Sequence, residues 1–244
     1  MLKPVQKKSL SDAVFEQLRA EIISGRMQPG STLPAERALC EALGVNRGAV
    51  REALKRLEQA RLVSVQHGGS TTVLDYRESA GTDLLSALLI TAEGSVNTRV
   101  ARSVMEMRSA LAPDIARLCA LRGQAVADEV EAVVGTMEAN PRDIAELQQL
   151  SMRFWSILVE GSDNVAYQLA YNSLGEAYGK FAHLLTHILA DEFKDLQAYR
   201  AIARAVREGD EIEAEAMARE LIQLGEARIA KLIKSLEKIE QSDQ

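Results

Sequence analysis

The chain has 244 residues, enough for two small domains, and a net charge of −6 at pH 7 that argues against nucleic-acid binding if evenly spread. The charge is uneven: residues 1–76 hold 11 Lys and Arg against 8 Asp and Glu (+3), and residues 77–244 hold 18 against 27 (−9). Any contact with DNA is therefore expected in the first third. No apolar run of about eighteen residues and no apolar signal core occurs, and Cys40 and Cys119 lie far apart, so we expect a reduced cytoplasmic protein outside the membrane.

The first predicted helix follows Ser9 or Ser11, either of which can cap it, and ends at Gly25. Its apolar side chains form one stripe: Leu10, Val14, Leu18 and Ile22. A turn over residues 28–31 follows. The stripe is typical of a helix that packs beneath its neighbours, so this region has enough apolar residues for one small core.

Two short helices come next. The first is predicted to begin at Pro34, whose fixed φ suits a first helical position, and to end at Gly44. Asn46 caps the second, in which one face is apolar: Val50, Leu54 and Leu57. Another face is basic: Arg47, Arg51 and Lys55. A tight turn between two such helices is typical of a helix-turn-helix, whose second helix enters the major groove of DNA.

After Ala60 the pattern changes to the alternation of a strand, turns through a glycine pair that follows His67, and returns over residues 71–73. This predicts a β-hairpin wing with Gly68 at its tip, where a small residue lets the backbone approach DNA closely. An ordinary helical pair with solvated arginines is the alternative reading of the basic face. The wing that follows at once favours the DNA-binding interpretation.

Residues 75–81 form a short polar linker, and every later pattern is helical. The predicted helices cover residues 82–92, 96–122, 125–139, 142–161, 164–190, 192–208 and 210–240. We therefore expect a mostly α protein, with a winged helix-turn-helix over residues 1–74 and an all-α seven-helix bundle over residues 82–244. Pro113 is expected to kink its helix or to end the first half of it.

The run PGSTLPAERALCEALGVNRGAVREALKRLEQARLVSVQHGG resembles the N-terminal domain of GntR-type bacterial transcription regulators, in order and in spacing. That resemblance implies a homodimer on a short pseudo-palindromic operator in double-stranded DNA. It also assigns the DNA contacts to these positions: Arg37, Asn46, Arg47, Gly48, Ala49, Arg51, His67 and Gly68. Relatives often carry hydroxyl side chains at positions 48 and 49, which glycine and alanine cannot replace as donors.

The second half resembles the ligand-binding domain of the FadR subfamily at FWSILVEGSDN and at YRAIARAVREGDEIEAEAM. Many members bind a divalent metal there through an Asp and several His. The corresponding positions of this chain are Ser151, Trp155 and Tyr199, which are not ordinary metal ligands, so no metal is expected. A metal site elsewhere would need His183 and His187 together with a carboxylate such as Asp191 or Glu192. Satisfied core or surface histidines are the simpler reading.

Loss of the metal ligands resembles the acyl-coenzyme A-responsive members of the subfamily, in which the bundle binds the acyl-coenzyme A and DNA is released. Arg108 is the first candidate to meet an anionic group of the effector, because guanidinium pairs bidentately with phosphate or carboxylate. The alternative is a structural Arg108 paired with Glu106 or Asp114. Tyr171 and Tyr178 are candidates to line the ligand site, although aromatic residues at helical spacing are often plain core.

Two other functions remain open. A regulator of the same kind could respond to a small organic acid instead, as much of the subfamily does. An enzyme fused to a DNA-binding module is disfavoured, because the sequence has no Ser-His-Asp set, phosphate loop or HExxH motif, and its three histidines are poorly placed for acid-base chemistry. We therefore expect a cytoplasmic regulator of fatty-acid metabolism with no cofactor and no catalytic residues.

Overall fold

A computed structural model describes residues 9–66, 70–91 and 94–242 of the chain. The chain forms two compact units, Met1–Val96 and Asn97–Gln244. The first unit contains these elements: α1 (Leu10–Ile23), α2 (Glu36–Leu43), α3 (Arg47–Gln59), β1 (Val63–Val65), β2 (Thr71–Val73), α4 (Tyr76–Ser79), a 3₁₀ turn (Thr82–Leu84) and α5 (Leu85–Leu88). This is the expected winged helix-turn-helix order.

Helix α1 starts where the sequence offers two caps. Ser9 is the N-cap: its Oγ accepts from the backbone N–H of Asp12, and the Asp12 carboxylate accepts from the backbone N–H of Ser9. Its buried face carries three of the four predicted stripe residues, Val14, Leu18 and Ile22, whereas Leu10 is exposed. They pack with the apolar face of α3, so one small core joins the helices and the wing.

Helix α2 begins two residues later than predicted. The backbone N–H of Leu33 donates to the carbonyl of Thr71 at 2.8 Å, and Thr32 forms a bridge with Thr72. The chain is therefore held extended beside the wing up to this point. Glu36, and not Pro34, is the first helical residue, and Ala35 is its N-cap. The predicted end is confirmed: Gly44 has a left-handed φ of 65°, which suits glycine.

The wing is an antiparallel pair in which Val63 lies opposite Val73 and Val65 opposite Thr71. Its inner end is buried at both valines of the first pair. The predicted contacts of His67 and Gly68 lie outside the described residues. The hairpin itself is confirmed by the two strands.

The predicted helix over residues 82–92 is instead a 3₁₀ turn followed by the short α5. Leu84 and Ala87 pack in the core of the first unit, and a bridge between Ile90 and Val96 follows. The structure therefore groups this segment with the first unit, whereas its sequence predicted a helix of the second unit. The bridge needs extended backbone, which prevents a longer helix here.

The second unit is all-helical in its described residues. Its elements are α6 (Thr98–Arg122), a 3₁₀ turn (Gln124–Val126), α7 (Ala127–Ala139), α8 (Ile144–Gly161), α9 (Val165–Ile188), α10 (Ala190–Lys194), α11 (Leu196–Glu208) and α12 (Glu211–Ser242). The described residues of this unit form seven α-helices, the predicted number, but the set differs from the prediction in two places. The predicted helix over 82–92 belongs to the first unit, and α10 is separate from α11, where one helix over 192–208 was predicted. Asp195, which caps α11, marks that separation.

Helix α6 runs through Pro113 without ending, and the proline is buried. Of the two alternatives predicted for Pro113, an end to the first half of the helix is therefore wrong, and a kink stays a prediction. Helix α6 packs along α11 and α12. Tertiary packing of this kind outweighs the cost of the hydrogen bond that proline cannot donate.

The core of the second unit includes Phe154 of α8 and Tyr199 of α11. Their rings meet edge-on with centroids 4.9 Å apart. Both cysteines are free thiols: Cys119 is buried and Cys40 is half-buried. Burial raises the pKa of Cys119 to about 12, so this thiol stays protonated and unreactive. No described helix has the length and apolar character needed to cross a membrane.

Candidate nucleic-acid interface and effector site

The N-terminus of α3 carries four of the predicted DNA contacts. Asn46 caps the helix: its Oδ1 accepts from the backbone N–H of Ala49 at 2.9 Å. Arg47 and Gly48 are exposed in the first turn, where a recognition helix meets base edges. Ala49 is 8 % exposed and faces inward, an orientation that does not favour a side-chain contact with DNA. The Asn46 amide, committed to the cap, positions this turn.

Two predicted arginines are paired with glutamates. Arg37 Nε donates to Glu41 at 2.9 Å within α2. Arg51 Nε donates to both carboxylate oxygens of Glu36 at 2.9 and 3.1 Å, which links α3 to α2. The Arg51 side chain is 68 % exposed, so the pair adds little stability, but it fixes the direction of the guanidinium. Glu36 directly precedes Arg37 in the sequence, and local periodicity does not indicate its contact with Arg51.

In the second unit, Arg108 of α6 forms an ion pair with Glu192 of α10 through Nη2 and Oε1. This confirms that Arg108 has a carboxylate partner, but not a predicted one. Asp114 instead accepts from Arg117 at 2.7 Å and from Tyr167 at 2.8 Å, and Glu106 is exposed. Glu192 could not be predicted as the partner of Arg108, because the two residues are 84 positions apart and only folding brings α10 beside α6.

The ion pair is partly buried, and each partner has one terminal atom without a hydrogen bond among the described residues. Glu192 is fully buried, and the Arg108 side chain is 23 % exposed. Among the described residues, Arg108 Nη1 and Glu192 Oε2 have no hydrogen-bond partner. Burial raises the pKa of Glu192, and Arg108 opposes that shift. Burial acts to lower the pKa of Arg108, but the carboxylate of Glu192 outweighs it and the pKa is raised, so the guanidinium stays charged.

The two predicted tyrosines lie in the electrostatic reach of Arg108. Burial raises the pKa of Tyr171 to about 12, and the charge of Arg108 acts in the opposite direction. Burial also raises the pKa of Tyr178, again opposed in part by Arg108. The Tyr178 hydroxyl accepts from Gln148 Nε2 at 2.5 Å, and the Tyr171 hydroxyl donates to the carbonyl of Met152 at 2.8 Å. The structure therefore brings all three predicted effector residues into one region.

Two of the positions that the resemblance assigns to metal ligands, Ser151 and Tyr199, meet in the core. The hydroxyls of Ser151 and Tyr199 are 2.8 Å apart in the core. Neither group is an imidazole or a carboxylate, and the nearby indole of Trp155 cannot ligate a metal. His183 and His187 are exposed on α9. In the described ranges no three His, Cys, Asp or Glu side chains form a metal-binding group.

Gly225 of α12 makes room for Glu192. A Cβ at this position would collide with Glu192 Oε2 and lie 2.7 Å from Leu189 Cδ2. We therefore expect Gly225→Ala to lower the free energy of unfolding by about 1–3 kcal/mol, because it forces α10 away from α12. Chemical denaturation measures the change.

The matched control is Gly179→Ala on α9, where a Cβ would have nothing within 4 Å. This substitution should raise the free energy of unfolding by about 0.5–1 kcal/mol, since alanine loses less backbone entropy in a helix. Equal effects of the two substitutions would contradict the close approach of Glu192 to Gly225.

Known proteins match both parts of the chain. Residues 10–73 match the profile described as bacterial regulatory proteins, gntR family, and residues 103–224 match that of the FCD domain. The HTH-type transcriptional regulator Mce2R of Mycobacterium tuberculosis is 36 % identical over 96 % of this chain and 97 % of its own. The galactonate operon transcriptional repressor of Escherichia coli is 26 % identical over 91 % and 97 %.

The fatty acid metabolism regulator protein of Edwardsiella ictaluri is 32 % identical over 70 % of this chain and 71 % of its own. Among solved structures, E. coli McbR/YncC matches with a TM-score of 0.50 and 18 % identity, covering 92 % of this chain and 98 % of its own. At that identity the match shows the shared fold alone.

Proposed function

Because this chain belongs to the gntR family of bacterial regulatory proteins, which are DNA-binding regulators and not enzymes, we propose that it releases its operator when an acidic effector binds beside Arg108. The observation that carries the proposal is the guanidinium of Arg108. The guanidinium is held charged by Glu192, and its Nη1 atom is buried and has no partner among the described residues. Such a group recognises a carboxylate or a phosphate.

The DNA-reading surface that we propose comprises the exposed residues of α2 and of the first turns of α3, together with the wing tip: Arg37, Asn46, Arg47, Gly48, Arg51, His67 and Gly68. Two such surfaces in a homodimer would meet successive major grooves of a pseudo-palindromic operator. Contacts to phosphate give a salt-dependent affinity that is blind to sequence. Bidentate contacts from arginine to guanine add discrimination of about 1–3 kcal/mol each.

For the effector we propose a long-chain acyl-coenzyme A. The relative from E. ictaluri is named for fatty-acid metabolism, and Tyr171 and Tyr178 add half-buried apolar surface near Arg108. A small organic acid is the second candidate. It is supported by the relative named for the galactonate operon, and by the carboxylate of Glu192, which shows that Arg108 accommodates a carboxylate.

Release of DNA would follow from linkage. An effector changes operator affinity only by its differential affinity for the free and the DNA-bound protein. The two DNA-reading surfaces of the homodimer must contact two half-sites at a fixed spacing. If the helices rearrange around the effector and change that spacing, one of the two surfaces would lose its contacts with DNA. The usual size of such coupling is about 5–150-fold.

Fluorescence anisotropy on operator DNA tests this proposal. Palmitoyl-coenzyme A should weaken operator binding by about 5–150-fold, and Arg108→Ala should remove most of that response. The matched control is Arg99→Ala, which removes an exposed arginine from the same helix and should leave the response intact. Circular dichroism verifies that each variant is folded.

Three results would revise the proposal. Release by galactonate or another small carboxylate, with no effect of palmitoyl-coenzyme A, transfers it to the organic-acid candidate. A full response in folded Arg108→Ala removes Arg108 from the site. An operator affinity that no acidic probe changes contradicts regulation by an acidic effector.

A further inference from the structure

Glu192 is an unusual residue to find in the core. It lies on the five-residue helix α10, between the long helices α9 and α11, and its carboxylate is fully buried. One oxygen meets Arg108 and the other has no partner among the described residues. The carboxylate lies so close to Gly225 of α12 that a Cβ there would collide with its Oε2. The chain thus buries a carboxylate of which only one oxygen has a hydrogen-bond partner among the described residues.

Stability alone does not account for this pair. Taking two charges out of water costs several kcal/mol per ion, and hydrophobic residues of similar volume often replace buried pairs without loss. The geometry of Arg108 indicates another role. Glu192 uses Nη2 and leaves Nη1 unbonded, whereas a carboxylate aligned with the guanidinium engages both terminal nitrogens. A carboxylate that entered in that orientation would bond better than Glu192 does.

We propose that Glu192 is an internal stand-in for the acid group of the effector, and that effector binding exchanges one carboxylate for another at Arg108. The inference rests on the proposed function for its biological meaning, but the exchange is a property of Arg108 and Glu192 that can be measured without DNA. It assigns the anion-binding part of the effector site to Arg108, α10 and Gly225. It also makes α10 the element that must shift when the effector enters.

Displaced Glu192 loses its cation and takes up a proton if it stays buried. The groups that face it are Arg108 from α6, Tyr178 from α9 and Tyr199 from α11. Burial raises the pKa of both tyrosines, so these hydroxyls stay neutral, and neither can replace the positive charge of Arg108. On its own helix, Asp191 is exposed and pairs with Arg228 of α12. The proton would therefore go to Glu192.

Chemical rescue tests the exchange. Glu192→Ala removes a CH₂–COO⁻ group, which has the size and charge of acetate. Acetate should raise the melting temperature of this variant by about 3–6 °C at ten times its dissociation constant, while acetamide and sodium chloride at matched ionic strength should not. The wild-type protein, in which acetate must first displace the covalently attached Glu192, should respond much less. Asp191→Ala, which removes an exposed carboxylate from the same helix, should respond no more than the wild type.

Glu192→Gln keeps the shape of the side chain and serves as the folding control. If Glu192→Gln folds while Glu192→Ala stays unfolded in acetate, or if acetate stabilises both Glu192→Ala and the wild type equally, the exchange is overturned. This outcome is independent of the operator experiment. If acetate rescues Glu192→Ala but no acidic probe changes operator affinity, the exchange is upheld and the proposed function is contradicted. If an acidic probe releases the operator but acetate does not rescue Glu192→Ala, the proposed function is upheld and the exchange is contradicted.

Discussion

Replacing Arg108 by leucine is expected to lower the free energy of unfolding by about 3–5 kcal/mol, because the substitution leaves the carboxylate of Glu192 buried without its cation. The loss should depend on pH. Burial already raises the pKa of Glu192 in the folded protein, and removal of Arg108 raises it further. A carboxyl whose folded pKa lies above its unfolded value contributes most stability below the unfolded pKa, and this contribution is lost as pH rises through the folded pKa.

Urea unfolding of Arg108→Leu near pH 5 and near pH 8 measures this dependence, with the larger loss expected at the higher pH. The matched variant is Arg108→Leu with Glu192→Leu, which removes both charges and should recover most of the stability. A double variant as unstable as the single one would show that packing of the Arg108 stem, and not the uncompensated charge, carries the effect. A loss that does not vary with pH would contradict the assignment to Glu192.

Replacing Arg47 by alanine is expected to weaken specific operator binding by about 1–3 kcal/mol, equivalent to about 5–150-fold, while non-specific binding changes little. Arg47 is the first residue of α3 and is exposed. In the described part of the chain no carboxylate pairs with it, in contrast to Arg37 and Arg51. Its guanidinium is therefore available to a base edge without breaking an ion pair first.

The control for Arg47 is Lys55→Ala, which removes the same charge from an exposed position two turns further along α3. If Lys55 contacts phosphate, its removal should weaken binding to operator and to unrelated DNA alike. It should also lower the dependence of log affinity on log salt concentration by about 1. Competition binding at fixed salt gives both affinities. An unchanged specificity ratio for Arg47→Ala would contradict the placement of α3 in the major groove.

The first unit was largely predictable because its signals are local. The cap at Asn46, the left-handed Gly44 and the apolar face of α3 each depend on residues within a few positions, and the structure confirms all three. The start of α2 was predicted two residues early, because Pro34 is a good first helical residue only when the chain is free to turn. The contact of Leu33 with the wing holds the backbone extended there, and no local pattern reports it.

The same limit explains the missed partner of Arg51. The sequence placed Arg51 on a basic face, and the structure shows Glu36 of the neighbouring helix accepting from its Nε. The two residues lie 15 positions apart. Their meeting depends on how α2 packs against α3, which the helical periodicity of either element leaves open.

By itself the sequence determined the winged helix-turn-helix, the helical character of most later segments and the division of charge between the halves, because these depend on residue type and periodicity. It failed at residues 82–92, where tertiary contacts replace a regular helix by a 3₁₀ turn and the short α5. The tertiary structure alone decided which charges meet. It put Glu192 beside Arg108 and Gly225 and kept Asp114 for Arg117. The reason is physical: a buried charge takes its partner from whichever helix packing brings within hydrogen-bond distance, and that depends on the whole bundle.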